Sequence, residues 1–375
     1  MRTLISGGTL LTPTETVEDG WVLVRGDRIA ETGCGTGPPA DETIDADGRF
    51  IAPGFIDLHV QGIQGDDLWE TSNDRFARAM RHLAATGVVA CQASVEASPE
   101  VCSLMRPRVG HSRAGTRLLG LYFEAPFCSR EKCGAIPPEE IRETTVEAAD
   151  ELLEFSRGLV SMVTIAPERP GALDLVRRLR KEPSPTGSRL VLAIGHTAAR
   201  YDDAVAGVRA GISHCTHLFN AMTWMHHREP GPIGAVLIRP HVTAEIICDG
   251  VHLHPATVRM TVLAKGTART CLVTDVVSGR DHPVVDGAPR LPDGTLAGSV
   301  LTMDRAVANV MRFADLTLPE AVEMATLTPA RVLGLEDTRG SLAAGRAADL
   351  VLFDDEVHVS LTMVDGRVVW KKDEE

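Results

Sequence analysis

The stretch Val191–Met222, VLAIGHTAARYDDAVAGVRAGISHCTHLFNAM, decides the fold. An apolar run, Leu190 to Ile194, stops at Gly195-His196. Tyr201, Ala204, Val205 and Val208 then follow helical spacing, and Gly211 ends that helix. Ile212 to Cys215 begins a second short strand, which stops at Thr216-His217. Two histidines therefore stand at the carboxyl ends of two successive strands, one βα repeat apart. In a closed parallel barrel such strands are neighbours and their ends face one site. Two imidazoles converging there can bind a metal. The bland alternative is two polar residues capping loops.

Outward from this stretch the alternation continues. Candidate strands are Phe55–His59, Val88–Ser94, Leu118–Glu124, Val160–Ala166, Leu190–His196, Ile212–His217, Ala244–Asp249 and Cys271–Asp275. Helical stretches lie between them at Asp74–Thr86, Pro138–Ser156, Gly171–Arg180 and Pro255–Ala264. Eight βα units over about 280 residues match a (β/α)8 TIM-type barrel across residues 53–337. A doubly wound sheet is the runner-up, but no Gly-x-Gly-x-x-Gly follows the first strand. KEPSPTGS (181–188) and REPGPIG (228–234) read as loops. Residues 1–52 and 338–375 are β-like, with hairpin signals at Gly26-Asp27 and Asp365-Gly366. They predict one small β-sandwich domain built from both termini.

The 375 residues suffice for one large domain plus a small one, and the net charge of −13 argues against nucleic acid or an anionic membrane as the main partner. None of the eight cysteines forms a C-x-x-C pair, and Cys91, Cys248 and Cys271 sit in apolar runs. With no leader-like start and no spanning run, the expectation is a reduced, cytoplasmic enzyme.

The strand ends deliver a particular set of side chains. Strand one gives Asp57, His59 and Gln61; strand three gives Glu124; strands five and six give His196 and His217. Strand seven gives Asp249 and His252, and strand eight gives Asp275. One Glu and two His make a three-ligand catalytic zinc site with an open fourth position. Asp275 is then a candidate general base. Glu124, between Phe123 and Ala125-Pro126-Phe127, is poorly placed to be a solvated charge. His214 reads as a hydrogen-bonded core residue, and His254 and His226-His227 as loop histidines.

With these residues in view, the chain resembles the amidohydrolase superfamily, and within it the N-acetylglucosamine-6-phosphate deacetylases. The similarity covers nearly the whole length. It rests on PGFIDLHVQG (53–62), GLYFEAPF (120–127), TIAPE (164–168), IGHTAA (194–199), THLFNAM (216–222), REPGPIGAVL (228–237), DGVHLHP (249–255), LVTD (272–275) and LAGSVLTM (296–303). The tail SLAAGRAADLVLFD is similar to the superfamily's β domain. The resemblance implies one divalent metal on Glu124, His196 and His217, most simply zinc, with iron(II), cobalt and manganese also fitting. It implies Asp275 as catalytic acid and base. Asn220, Ala221 and Ala135 would contact the sugar, Arg228 and His252 its phosphate, and Leu296, Ala297 and Gly298 would line it through the backbone. His59 and Gln61 would support the metal set from behind. A homodimer is implied, with an arginine such as Arg228 serving the partner's site.

The implied reaction is hydrolysis of the N-acetyl amide of N-acetylglucosamine 6-phosphate, giving glucosamine 6-phosphate and acetate. Three departures stand out. The superfamily's first-strand His-x-His is His59-Val60-Gln61, which disfavours a second, fully ligated metal. The EGPF motif reads EAPF, with Ala125 beside Glu124. The family's Gly-x-His, whose imidazole polarises the scissile carbonyl, reads Gly134-Ala135-Ile136. Losing one such donor costs roughly 10²–10³ in rate. VVSGRDHPV after Asp275 is also unusual, and offers Arg280 or His282 as a new substrate contact. Two rival readings follow: a deacylase of another N-acyl amine, and a sugar-phosphate binder without catalysis.

Overall fold

Strands buried on both faces read as continuous apolar runs, because helices cover one side and the barrel core fills the other. The structure, a computed structural model, describes residues 1–12, 15–112 and 115–372. Eight strands, buried and largely apolar, form one parallel sheet in sequence order: β1 (Phe55–Val60), β2 (Val88–Ser94), β3 (Arg117–Phe127), β4 (Val160–Ile165), β5 (Val191–Ile194), β6 (His214–Cys215), β7 (Thr243–Ile247) and β8 (Thr270–Val273). Every residue of β1, β2, β4, β5, β6 and β8 is buried. The sheet closes where Val60 bridges Val276 in parallel and the Asp275 amide donates to the His59 carbonyl at 2.9 Å. All eight expected strands are present, so the barrel reading is correct and the open sheet is excluded.

The covering helices are amphipathic for visible reasons. Ala172–Leu179 buries Ala172, Leu175, Val176 and Leu179, one face of a helix. Asn73–Ala85 starts where the Ser72 hydroxyl accepts from the Arg75 amide. Tyr201–Ala210 ends at Gly211, as its sequence predicts. Two expectations need correction. The helix expected over Pro138–Ser156 is a 3-10 turn, Pro138–Glu140, then an extended link and a helix, Val146–Ser156, because the Thr145 side chain caps the Ala148 amide and starts the helix there. REPGPIG is not wholly loop: Gly231–Leu237 is a short, fully buried helix beginning at its first glycine.

Both chain ends enter one further sheet. Its order is Arg367–Lys371, Val359–Val364, Leu350–Phe353, Phe50–Pro53, Arg2–Leu11, Thr16–Arg25, Arg28–Cys34, with Glu42–Asp45 beside Arg2–Leu11. The two hairpin tips fall at Gly26-Asp27 and Asp365-Gly366. Ile5, Val22, Ile51, Leu350, Leu352 and Leu361 pack together in its core. Asp365 ties this sheet to the barrel. Its carboxylate accepts from Ser112 Oγ at 2.7 Å, from Arg339 Nη2 at 3.0 Å, and from Arg117.

Candidate metal centre and active site

The carboxyl ends of the barrel strands surround a cavity of about 630 Å³. Glu124, His196 and His217 meet in its floor. Glu124 Oε1 lies 3.0 Å from His196 Nε2 and 2.7 Å from His217 Nε2, and the two nitrogens are 3.0 Å apart. The His196 Nδ1–H donates to the Lys132 carbonyl at 3.0 Å. A carbonyl can only accept, so the electron pair of a neutral His196 lies on Nε2, aimed at the centre. His217 Nδ1 is buried without a hydrogen-bond partner. One carboxylate oxygen and two imidazole nitrogens within 4.8 Å, all buried, are a donor set that fits a divalent ion. Burial would raise the Glu124 carboxyl, but the imidazoles of His59, His196 and His217 around it hold it well below the usual range. It is therefore ionised and ready to ligate.

These side chains sit on strained backbone. His196, His217 and Asp275 have φ of +43°, +22° and +50°, a left-handed region that non-glycine residues seldom occupy. Each lies two residues beyond the end of its strand. The abrupt turn aims the side chain across the barrel mouth instead of along the strand, and such strain persists only where the surroundings enforce it. Gly195 shows how tight the enforcement is: a Cβ there would lie 2.0 Å from Thr216 Cγ2.

Asp275 is set beside the triad. Its Oδ1 accepts from Gln61 Nε2 at 3.0 Å and lies 3.4 Å from His59 Nε2. His59 itself is fully buried behind the cavity, 3.4 Å from Glu124 Oε2. Asp57 lies deeper still, accepting from the Thr274 hydroxyl at 2.6 Å and the His59 amide at 3.1 Å. Complete burial pushes its carboxyl up to about 7, against the pull of those donors.

Gln61, Ala135, Asn220, Ala221, His252, Leu296, Ala297 and Gly298 all line the cavity, as does Ile136. His252 Nδ1 donates to Asp249 Oδ2 at 2.6 Å. Arg228 does not line it: the side chain is exposed on the loop after β6, against His227. Arg280 is engaged elsewhere, paired with Asp67 and Glu70, so it is not a free substrate contact, whereas His282 lines the cavity. His214 is fully buried between Glu245 and Thr243, and His254 caps the helix Pro255–Lys265 by accepting from the Ala256 amide. Sequence reading passed over the buried Glu245 on β7, although a glutamate inside the apolar run TAEIIC was its visible signal. It also passed over Trp69, Glu96 and Glu140, which complete the cavity wall from three separate loops.

Residues 50–369 match the model of the amidohydrolase family. The chain belongs to the amidohydrolase family. As an amidohydrolase it is similar to proteins of one narrower kind. It is 34% identical over 407 residues to the N-acetylglucosamine-6-phosphate deacetylase of Homo sapiens, covering 99% of this chain and 94% of that one. It is 31% identical to the N-acetylgalactosamine-6-phosphate deacetylase of Escherichia coli O157:H7, covering 94% and 96% of the two chains. Among solved structures, the N-acetyl-D-glucosamine-6-phosphate deacetylase from Mycobacterium smegmatis superposes with a TM-score of 0.87 at 35% identity, covering 99% of this amidohydrolase and 100% of that chain.

Proposed function

We propose that this amidohydrolase cleaves the N-acetyl amide of N-acetylglucosamine 6-phosphate, releasing acetate and glucosamine 6-phosphate. The observation that carries the reading is the convergence of Glu124, His196, His217 and Asp275 at one barrel end, in a chain this similar to sugar-phosphate deacetylases. We assign Glu124, His196 and His217 as ligands of one divalent ion, most simply zinc. When bound, such an ion polarises the amide carbonyl and acidifies water.

The chain's own residues supply the rest. Gln61 holds Asp275 Oδ1, so that the Asp275 carboxylate takes a proton from the attacking water. Asp275 then passes that proton to the departing nitrogen, because an unprotonated amine leaves poorly. Asn220, Ala221 and Ala135, with the backbone of Leu296, Ala297 and Gly298, form the sugar wall. His252, held by Asp249, contacts the phosphate. Among the described residues no lysine or arginine lines the cavity. That supports a homodimer in which Arg228 of the partner subunit completes the phosphate contact. The eight free cysteines support a reducing, cytoplasmic setting, and no helix among the described residues is long and apolar enough to cross a membrane.

One observation favours a second reading. Ile136 lines the cavity where an imidazole would polarise the carbonyl, which suits a different N-acyl amine. Amine release from N-acetylglucosamine 6-phosphate, its galactose epimer and the unphosphorylated sugar by zinc-loaded protein separates the two. Rapid, phosphate-dependent release is expected. No release from folded, metal-replete protein overturns the first reading and turns the search to other N-acyl amines.

A further inference from the structure

Glu245 is fully buried in the barrel wall, on the strand next to the one that carries His217. A carboxylate in that position needs partners, and this one has four. Its Oε2 lies 3.3 Å from His59 Nδ1, and accepts from Thr216 Oγ1 at 3.0 Å and from the His217 amide at 3.2 Å. Its Oε1 lies 3.0 Å from His214 Nε2, whose Nδ1 is in turn 2.6 Å from Thr243 Oγ1. Glu245 touches neither the cavity nor a coordinating atom. It holds the backbone of one proposed metal ligand and the far nitrogen of the imidazole that faces Glu124 and Asp275.

We propose that Glu245 is a positioning residue of the metal centre. His217 occupies strained backbone at φ +22°, and the bond from its amide to Oε2 is what pins that turn. The same oxygen accepts from His59 Nδ1–H, which fixes the imidazole with Nε2 towards Glu124 and Asp275. His214 steadies the carboxylate from the opposite side. One buried carboxylate thereby sets both the ligand geometry and the orientation of the group beside the general base. The inference rests on the metal reading above, and goes beyond it by naming the residue that holds the ligand set in shape.

The test is zinc retention against a competing chelator, read on the full chain. Glu245→Gln keeps the volume but places an amide donor where two acceptors are needed. Zinc affinity is expected to fall about 10–100-fold, the range for partners that orient ligands. kcat for amide hydrolysis falls with it while KM holds. The unfolding midpoint of the metal-free protein stays within a few degrees. Unchanged zinc affinity in folded E245Q overturns the proposal, and so does a lowered metal-free midpoint with zinc affinity intact. Should E245Q fail to fold, His214→Gln and His214→Leu decide the question. Gln can still donate to Oε1 and is expected to retain zinc, whereas Leu cannot and is expected to lose it; equal retention overturns the proposal. No zinc binding by the unmodified chain would instead sink the metal reading itself, a distinguishable failure.

Discussion

At the residue scale, three positions carry separate consequences. Asp275→Asn leaves the Gln61 contact a partner but removes the proton acceptor. kcat is expected to fall about 10²–10⁴-fold, with zinc content by atomic absorption unchanged. Ile136→His restores a donor to the cavity wall and is expected to raise kcat on the sugar phosphate, by up to about 10². A fall in kcat would show that Ile136 packs against the true substrate. Asp57 is a matter of stability. Its folded-state pKa of about 7 exceeds the ordinary 3.8. Between those values the native state keeps a proton that the unfolded chain has released. Its stabilising contribution is therefore complete below about pH 4 and is lost as pH rises through 7, a difference on the order of 4 kcal/mol. Asp57→Asn cannot ionise, so the gap between urea midpoints at pH 5 and pH 8 should narrow. An unchanged gap would locate the pH dependence elsewhere.

At the scale of elements, the barrel strands tolerate little at their ends. A Cβ on Gly195 would meet Thr216 Cγ2 at 2.0 Å and Thr164 Cγ2 at 3.3 Å, directly beside His196. Gly195→Ala should cost about 1–3 kcal/mol of stability and loosen zinc retention as β5 and β6 move apart. Thermal unfolding and chelator competition read the two effects. The same elements explain what sequence could disclose. Strands such as Val191–Ile194 were legible because burial on both faces favours an apolar run, and that run stops where the chain reaches the mouth. Glu124, His196, His217 and Asp275 stood out for that reason. Pro138–Ser156 misled because its charged and apolar spacing suits a helix, while the Thr145 cap, a side-chain event, sets the true start. Arg280 reads as free in sequence, since Asp67 and Glu70 lie 213 and 210 residues away. Glu245 lacked a motif, and its partners come from β1, β6 and the turn that follows β6, which only closure of the barrel brings together.

At the scale of the whole molecule, one carboxylate joins the sheet to the barrel. Burial would raise Asp365, but Arg117, Ser112 and Arg339 outweigh it and hold the carboxyl at about 2. Since the folded value is depressed, the stabilisation is present above about pH 4 and lost as pH falls towards 2. Asp365→Ala removes a carboxylate shared by two half-buried guanidinium groups, leaving Arg339 with Asp349 and Arg117 with the Gly110 carbonyl, and should cost about 1–3 kcal/mol. Urea unfolding measures that cost. Limited proteolysis should show earlier cutting within residues 359–372, and an unaltered cleavage pattern would mean the sheet is held by its apolar core alone.

The order of that sheet also bears on how the chain is made. Phe50–Pro53 lies between Arg2–Leu11 and Leu350–Phe353, so its second neighbour leaves the ribosome roughly 300 residues later. At about 5–20 residues per second, translation leaves that edge open for on the order of 15–60 s. During that interval the nascent chain presents an apolar strand with unsatisfied backbone groups, Ile51 and Ala52 among them, while the barrel is still being synthesised. The last strands to be made act as the seal, and a chain truncated before Leu350 would leave the polysome as a template for aggregation.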